Sequence, residues 1–181
     1  RDAHHHFWRY SPQEYPWITE EMQALRHNFL PETWGQILLQ NRMDGCIAVQ
    51  ARPSEDETAF LTDLATKYSW LAGVVGWVDL RSPDIDDRLA FWDQHPVVKG
   101  YRHQIQDEAD PPLFMADPDF NRGLAFIQRR NLVFEVLIHS KDLSAATTLC
   151  ARHDVAQLVL DHLGKPAPGQ ESLRDGGRRL A

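Results

Sequence analysis

The feature that most constrains this chain is a regular alternation of short apolar runs with longer stretches of helical period. The runs are "CIAVQA" (46–51), "LAGVVGWV" (71–78), "VVKGY" (97–101), "LVFEVLI" (132–138) and "LVLD" (158–161). Each is apolar on successive residues rather than on every second one, the pattern of a parallel strand buried on both faces. Between them, residues 56–68, 83–95, 117–131 and 141–154 read as helices. Asp56 and Asp117 are placed as N-caps, and Leu143, Ala146 and Leu149 share one face of the last helix. With "RDAHHHFWRY" as a first strand, the chain reads as six βα-like units. Right-handed helical crossovers then leave two architectures, an open doubly wound sheet or a closed (β/α)8 TIM barrel.

The stretch between the first two strands is less regular. Prolines at 12, 16 and 31 mark a long surface insertion, followed by a helix over about 32–43. A net charge of -7 provides no basic stripe to track phosphates, which argues against nucleic acid as a partner. No segment approaches the roughly 20 apolar residues that span a bilayer, so the expectation is a soluble cytoplasmic protein with no membrane partner. Cys46 and Cys150 show no CxxC spacing and read as buried, reduced thiols.

The residue just past each apolar run is repeatedly one capable of chemistry. The opening segment delivers His4, His5 and His6; the second strand ends at Gln50, and the third run holds Trp77 with Asp79 just beyond it. The fourth runs into Arg102, His103, Gln104 and Gln106, the fifth into His139, and the sixth into Asp161 and His162. Parallel strands of one sheet present their C-terminal ends on one side, where α/β enzymes build their sites. Of nine histidines only His27, His95 and His153 lie away from such ends, a bias that a random scatter would not produce. Taken singly, the histidine run matches a purification-tag remnant, His103 or His139 a satisfied core histidine, and Trp77 a packing residue. Their shared position on the strands is what argues for a site.

Strand alternation divides the histidine run. His4 and His6 point to one side, with Asp2 of the same parity, while His5 points away. Two convergent imidazoles are half of a metal site, to be completed by another histidine and a carboxylate.

The segments "DAHHHFW", "GVVGWVDL", "VKGYRHQIQDEAD", "DPDFNRGLAF" and "LVLDHLGKP" resemble the L-fuconolactonase-like sugar-lactone hydrolases of the amidohydrolase superfamily. Pyrone-dicarboxylate lactonases are more distant cousins. The resemblance extends to Pro166 and implies a (β/α)8 barrel that opens the ring ester of an aldonolactone to the hydroxy acid by attack of an activated water. It implies His4, His6, His103 and His162 as catalytic residues, and Gln50, Trp77, Arg102, Gln106 and His139 as substrate contacts. It further implies one divalent metal, zinc foremost, on His4, His6 and His162, while some members of this branch work without a metal. The partner is then a small-molecule sugar lactone, with a homo-oligomer left open.

Two alternatives remain at this point: a pyrone-dicarboxylate-type lactonase or related decarboxylase, and a non-catalytic, metal-binding barrel fragment. The family's eighth-strand aspartate has no counterpart after the sixth strand. Residues 1–181 are therefore expected to be a single barrel domain, incomplete at its C-terminus, with a helix-like tail at 171–181.

Overall fold

A computed structural model describes residues 1–166; the helix-like tail expected at 171–181 lies outside the described residues. The strands are β1 (Asp2–His5), β2 (Cys46–Val49), β3 (Leu71–Gly76), β4 (Val98–His103), β5 (Val133–Val136) and β6 (Gln157–Leu160). They form one six-stranded sheet in chain order, and the pairings described are parallel. A doubly wound sheet reverses its strand order midway, whereas a (β/α) barrel does not. Of the two architectures the sequence leaves, the barrel type is the one observed.

The helices are α1 (Pro31–Gln40), α2 (Glu55–Lys67), α3 (Ile85–Trp92), α4 (Pro111–Ala116), α5 (Pro118–Arg129) and α6 (Leu143–Arg152). None is long and apolar enough to cross a membrane, among the described residues. Asp117 caps α5 as expected, its side chain accepting from the backbone N–H groups of Asp119 and Phe120. The cap of α2 is Ser54 instead of Asp56: the Ser54 side chain accepts from the Asp56 N–H, which places Asp56 inside the first turn. Helix α4 lies in a stretch to which the sequence assigned no element. Proline is tolerated in a first helical turn, and Asp110 caps this one by accepting from the Leu113 N–H.

By packing, the chain divides into two compact units. The first comprises Arg1–Trp77 and Asp93–Lys99. Its main core gathers Phe7, Cys46, Ala48, Leu61, Leu64, Leu71 and Val74 between the sheet and the helices. A second cluster joins Trp8, Tyr15, Ile18 and Ala51, so the region expected to be a surface insertion contributes core residues of its own. Trp8 and Phe29 pair as an antiparallel bridge, which closes that segment back onto the end of the first strand.

The polar anchor of this unit is Glu57, fully buried on α2. Its carboxylate accepts from the Tyr15 hydroxyl at 2.9 Å, from Arg52 Nε at 2.9 Å and from the Ala51 N–H. Burial pushes the Glu57 carboxyl above its ordinary range, and these donors oppose the push. One helix residue thereby fixes both the 11–18 segment and the backbone just past β2.

The second unit comprises, among the described residues, Val78–Trp92 and residues 100–166. Phe120, Leu124 and Ile127 of α5 are buried, as are Phe134 and Val136 of β5 and Leu143, Ala146 and Leu149 of α6. The last three confirm the face read from the sequence. Cys46 is buried as expected, but Cys150, on the same helix α6, is only half-buried. Both thiols are free.

His153 closes α6 and is itself buried. Its Nε2 meets Asn121 Oδ1 at 3.0 Å and its Nδ1 meets Gln128 Oε1 at 3.4 Å. The Asn121 amide nitrogen donates to the carbonyls of Met115 and Asp117, which leaves its oxygen as the acceptor toward His153.

Three stability predictions follow from these anchors. Glu57→Ala strands three donors in a dry site and is expected to lower the unfolding free energy by about 3–5 kcal/mol. Tyr15→Phe, which removes one partner, is expected to lower it by about 1 kcal/mol. Urea midpoints read both, and wild-type midpoints would contradict this account. Burial, then the Arg152 charge, lowers the pKa of His153 below its ordinary 6.5. The unfolded chain therefore takes up a proton at a higher pH than the folded one, so this histidine costs stability as pH falls through 6.5. His153→Gln is expected to lose less stability than wild type between about pH 7.5 and 5.5; equal losses would contradict it.

Candidate active site

In the first unit the histidine run sits on a strand with a register shift. Asp2 aligns with Cys46 and His5 with Ala48, so three steps along β1 match two along β2. This bulge breaks the simple alternation expected from the sequence. Asp2 does not stand with His4 and His6. Its carboxylate instead accepts from the His4 N–H at 3.2 Å and lies 3.3 Å from His5 Nδ1. His5 turns to the helix side, as expected, and stacks on the Trp34 ring at 3.8 Å between centroids. Burial lowers its pKa, against a smaller opposite effect of Asp2.

His4 and His6 are brought together: their Nε2 atoms are 3.3 Å apart and their rings stand edge to face at 85°. His6 Nδ1 lies 2.7 Å from the Val49 carbonyl at the end of β2. A carbonyl only accepts, so Nδ1 carries the hydrogen and the lone pair sits on Nε2, toward His4. Two nitrogens bound at about 2.05 Å to a tetrahedral zinc are about 3.3 Å apart. The pair as folded has the spacing of metal ligands, and His6 also has the tautomer and the outer carbonyl that such histidines use.

Gln50 follows Val49, is fully buried, and donates its backbone N–H to the Val75 carbonyl at 2.9 Å. Trp77 is half-buried, and its backbone is clamped by Thr58 of α2. The Thr58 hydroxyl accepts from the Trp77 N–H at 2.7 Å and donates to the Trp77 carbonyl at 2.8 Å. A Cβ on Gly76 would meet Thr58 Cγ2 at 2.5 Å, so the glycine is what allows that clamp.

In the second unit, register places a charged cluster on one face of three neighbouring strands. Arg102 aligns with Glu135, and Glu135 with Val159. Asp161, two residues past Val159, shares that parity. Arg102 Nη1 donates to Asp161 Oδ2 at 3.0 Å, with both side chains buried. Burial, then the Asp161 charge, pushes the Glu135 carboxyl up to about 7, against the pull of Arg102. A carboxylate inside the apolar run "LVFEVLI" is the sequence signal for Glu135, since an acidic residue in a buried strand needs a partner.

His103 ends β4 and is half-buried. Its Nε2 lies 2.7 Å from Glu108 Oε1, and its ring stacks on Phe114 at 4.6 Å and 11°. Burial lowers its pKa; Glu108 opposes this. Gln106 accepts from Lys165 Nζ at 2.6 Å. His139 is exposed at the start of a 3-10 turn over Ser140–Asp142. His162 is exposed and opens a left-handed stretch, with φ of 51°, 53°, 70° and 49° over His162, Leu163, Gly164 and Lys165. Non-glycine residues in that region cost of order 1 kcal/mol each or more, and they persist only where the surroundings over-determine them. Here the Lys165 N–H bonds to the His162 carbonyl at 2.9 Å while Nζ holds Gln106. Glu108 and Lys165 were not singled out from the sequence, because their partners lie across loops whose closure periodicity does not report.

The sequence profile of the amidohydrolase family matches residues 1–181. An L-fucono-1,5-lactonase of Burkholderia multivorans is 46% identical over 166 residues, 92% of this chain and 56% of that protein. An L-fucono-1,5-lactonase of Burkholderia ambifaria is 30% identical over 165 residues, 91% of this chain and 57% of that protein. A crystal structure of a Burkholderia multivorans amidohydrolase with bound zinc superposes with a TM-score of 0.94 at 43% identity, over 99% of this chain and 64% of that one. The chain thus spans little more than half the length of the curated relatives it matches. From the ordered strands, the paired histidines and a profile that runs from residue 1 to 181, the chain belongs to the amidohydrolase family.

Proposed function

We propose that the protein opens the ring ester of a sugar aldonolactone, of the L-fuconolactone type, to the open hydroxy acid by attack of an activated water. The observation that carries this reading is the His4–His6 pair, whose Nε2 atoms converge at 3.3 Å with the His6 tautomer set by the Val49 carbonyl. Relatives named for L-fucono-1,5-lactone supply the substrate class.

In this reading His4, His6 and His162 would hold one divalent ion, zinc by the chemistry of the donor set. When bound, such an ion acts as a Lewis acid on an ester carbonyl and lowers the pKa of water. The protein's own residues do the rest. His103 is the catalytic histidine of the fourth strand, its ring held at one edge by Glu108 and on one face by Phe114. Arg102 donates to Asp161, and a guanidinium fork suits a carbonyl or hydroxyl oxygen of the sugar. Gln50, Trp77, Gln106 and His139 complete the substrate contacts.

The test is acid release from a panel of aldonolactones followed by pH-stat. Turnover is expected to be fastest with a six-carbon deoxy sugar lactone. His4→Ala and His6→Ala are each expected to lower kcat/KM by about 100-fold or more. No acid release by the wild-type protein with any lactone would overturn the reading. Chelation is expected to abolish activity and stoichiometric zinc to restore it; full activity in metal-free protein would show that the ion is dispensable.

A further inference from the structure

We propose that Thr58 is a positioning residue whose hydroxyl fixes the backbone of Trp77 and so aims the indole at the bound lactone; this rests on the function proposed above. Thr62, Thr147 and Thr148 turn their hydroxyls back to carbonyls four residues earlier on their own helices, at 2.7, 2.8 and 3.2 Å. That is the ordinary habit of a threonine inside a helix. Thr58 departs from it. Fully buried near the start of α2, it reaches across to the sheet, accepting from the Trp77 N–H at 2.7 Å and donating to the Trp77 carbonyl at 2.8 Å.

Its neighbour departs in the same way. Ser54 and Glu57 have the spacing of a capping box, in which the glutamate returns to the serine N–H. The Ser54 N–H donates instead to the Arg52 carbonyl at 2.9 Å. The Glu57 carboxylate goes out to the Ala51 N–H, Arg52 and Tyr15. Two consecutive buried side chains of α2 thus forgo local partners and hold the backbone just past β2 and β3. Glu57 seats the helix on the end of β2, one residue past Gln50, and keeps the Thr58 hydroxyl from drifting away from Trp77.

The two Thr58 bonds fall on the two peptide planes that flank Trp77. Its N–H belongs to the plane shared with Gly76 and its carbonyl to the plane shared with Val78. Tying both to one oxygen sets φ and ψ at Trp77, and with them the direction of its Cα–Cβ bond. Thr58 is itself stiff, because a β-branched side chain in a helix has few χ1 rotamers. Gly76 lets the strand come this close, since a Cβ there would meet Thr58 Cγ2 at 2.5 Å and Oγ1 at 2.8 Å.

The place of Trp77 gives that aim a use. Register aligns His5 with Ala48 and Ala48 with Val74, so β1, β2 and β3 end side by side, with His6, Gln50 and Trp77 at their C-terminal ends. Two strand spacings, about 10 Å, separate the backbones that carry His6 and Trp77, wide enough for a sugar ring and an indole. Aromatic side chains supply the apolar walls of small-molecule sites, and a six-carbon deoxy sugar offers a methyl end for such a wall to cover.

Thr58→Val keeps the shape and removes the hydroxyl, whereas Thr58→Ser keeps the hydroxyl and loses the methyl. On the full-length protein with the best lactone, Thr58→Val is expected to raise KM about 10-fold with kcat changed less than about threefold. Thr58→Ser is expected to recover most of the difference. Trp77→Ala is expected to raise KM as far, and Thr58→Val to add less than about twofold in that background, since it acts through the same indole. A merely structural threonine would lower the urea midpoint and leave KM alone.

Fluorotryptophan labelling followed by fluorine-19 NMR, with the Trp77 line assigned by Trp77→Phe, reads the ring directly. One sharp line is expected in wild type and Thr58→Ser, and a broadened or split line in Thr58→Val. Thr58→Ala also lacks the hydroxyl; it is expected to behave as Thr58→Val and stands in for it should the valine block folding. A wild-type KM in Thr58→Val, the same rise with and without Trp77, no rise in Trp77→Ala, or an unaltered Trp77 line would each overturn the proposal. If the wild-type protein hydrolyses no lactone, the functional reading falls and takes the lactone role of Trp77 with it, while the fluorine line still decides whether Thr58 sets the indole.

Discussion

Parallel pairing between neighbouring strands is the constraint on which the rest of this structure depends. In a parallel ladder, register decides which side chains share a face and where each strand stops. In the first unit it brings the Val49 carbonyl of β2 to 2.7 Å from His6, just past β1. In the second it lines Arg102 up with Glu135 on the adjacent strand and leaves Asp161 to meet Arg102 just past β6. The polar groups that make chemistry conceivable are thus placed by the ladders that make the fold stable.

Much of this was legible in the sequence because strands buried on both faces leave continuous apolar runs and amphipathic helices leave a 3.6-residue period. Leu143, Ala146 and Leu149 were read correctly for that reason. What escaped depended on local stereochemistry or on distant partners. The bulge in β1 took Asp2 to His5. A serine hydroxyl two residues upstream displaced Asp56 as a cap. Two prolines and an Asp110 cap began a short helix in a stretch with no 3.6-residue period long enough to read. The burial of Tyr15 and Ile18 depends on Trp8 and Ala51, which no window of period 2 or 3.6 would associate with them.

The buried charges serve different ends. Glu57 is surrounded by an arginine, a phenol and a backbone N–H, an arrangement that anchors a loop. Glu135 lies beside another carboxylate and holds its proton up to about 7. An acid paired with an acid adds little to stability, as does a left-handed run from His162 to Lys165. Both lie in the segments that carry the candidate site residues, which is where local rules are expected to give way to function.

The central claim is that the first strand presents a preset imidazole pair. X-ray absorption at the zinc edge, on protein loaded with one equivalent of zinc, tests it most directly. The account predicts at least two imidazole nitrogens at about 2.0–2.1 Å, with one lost in His6→Ala. A shell of oxygens alone, or a spectrum unchanged by removing His6, would contradict it.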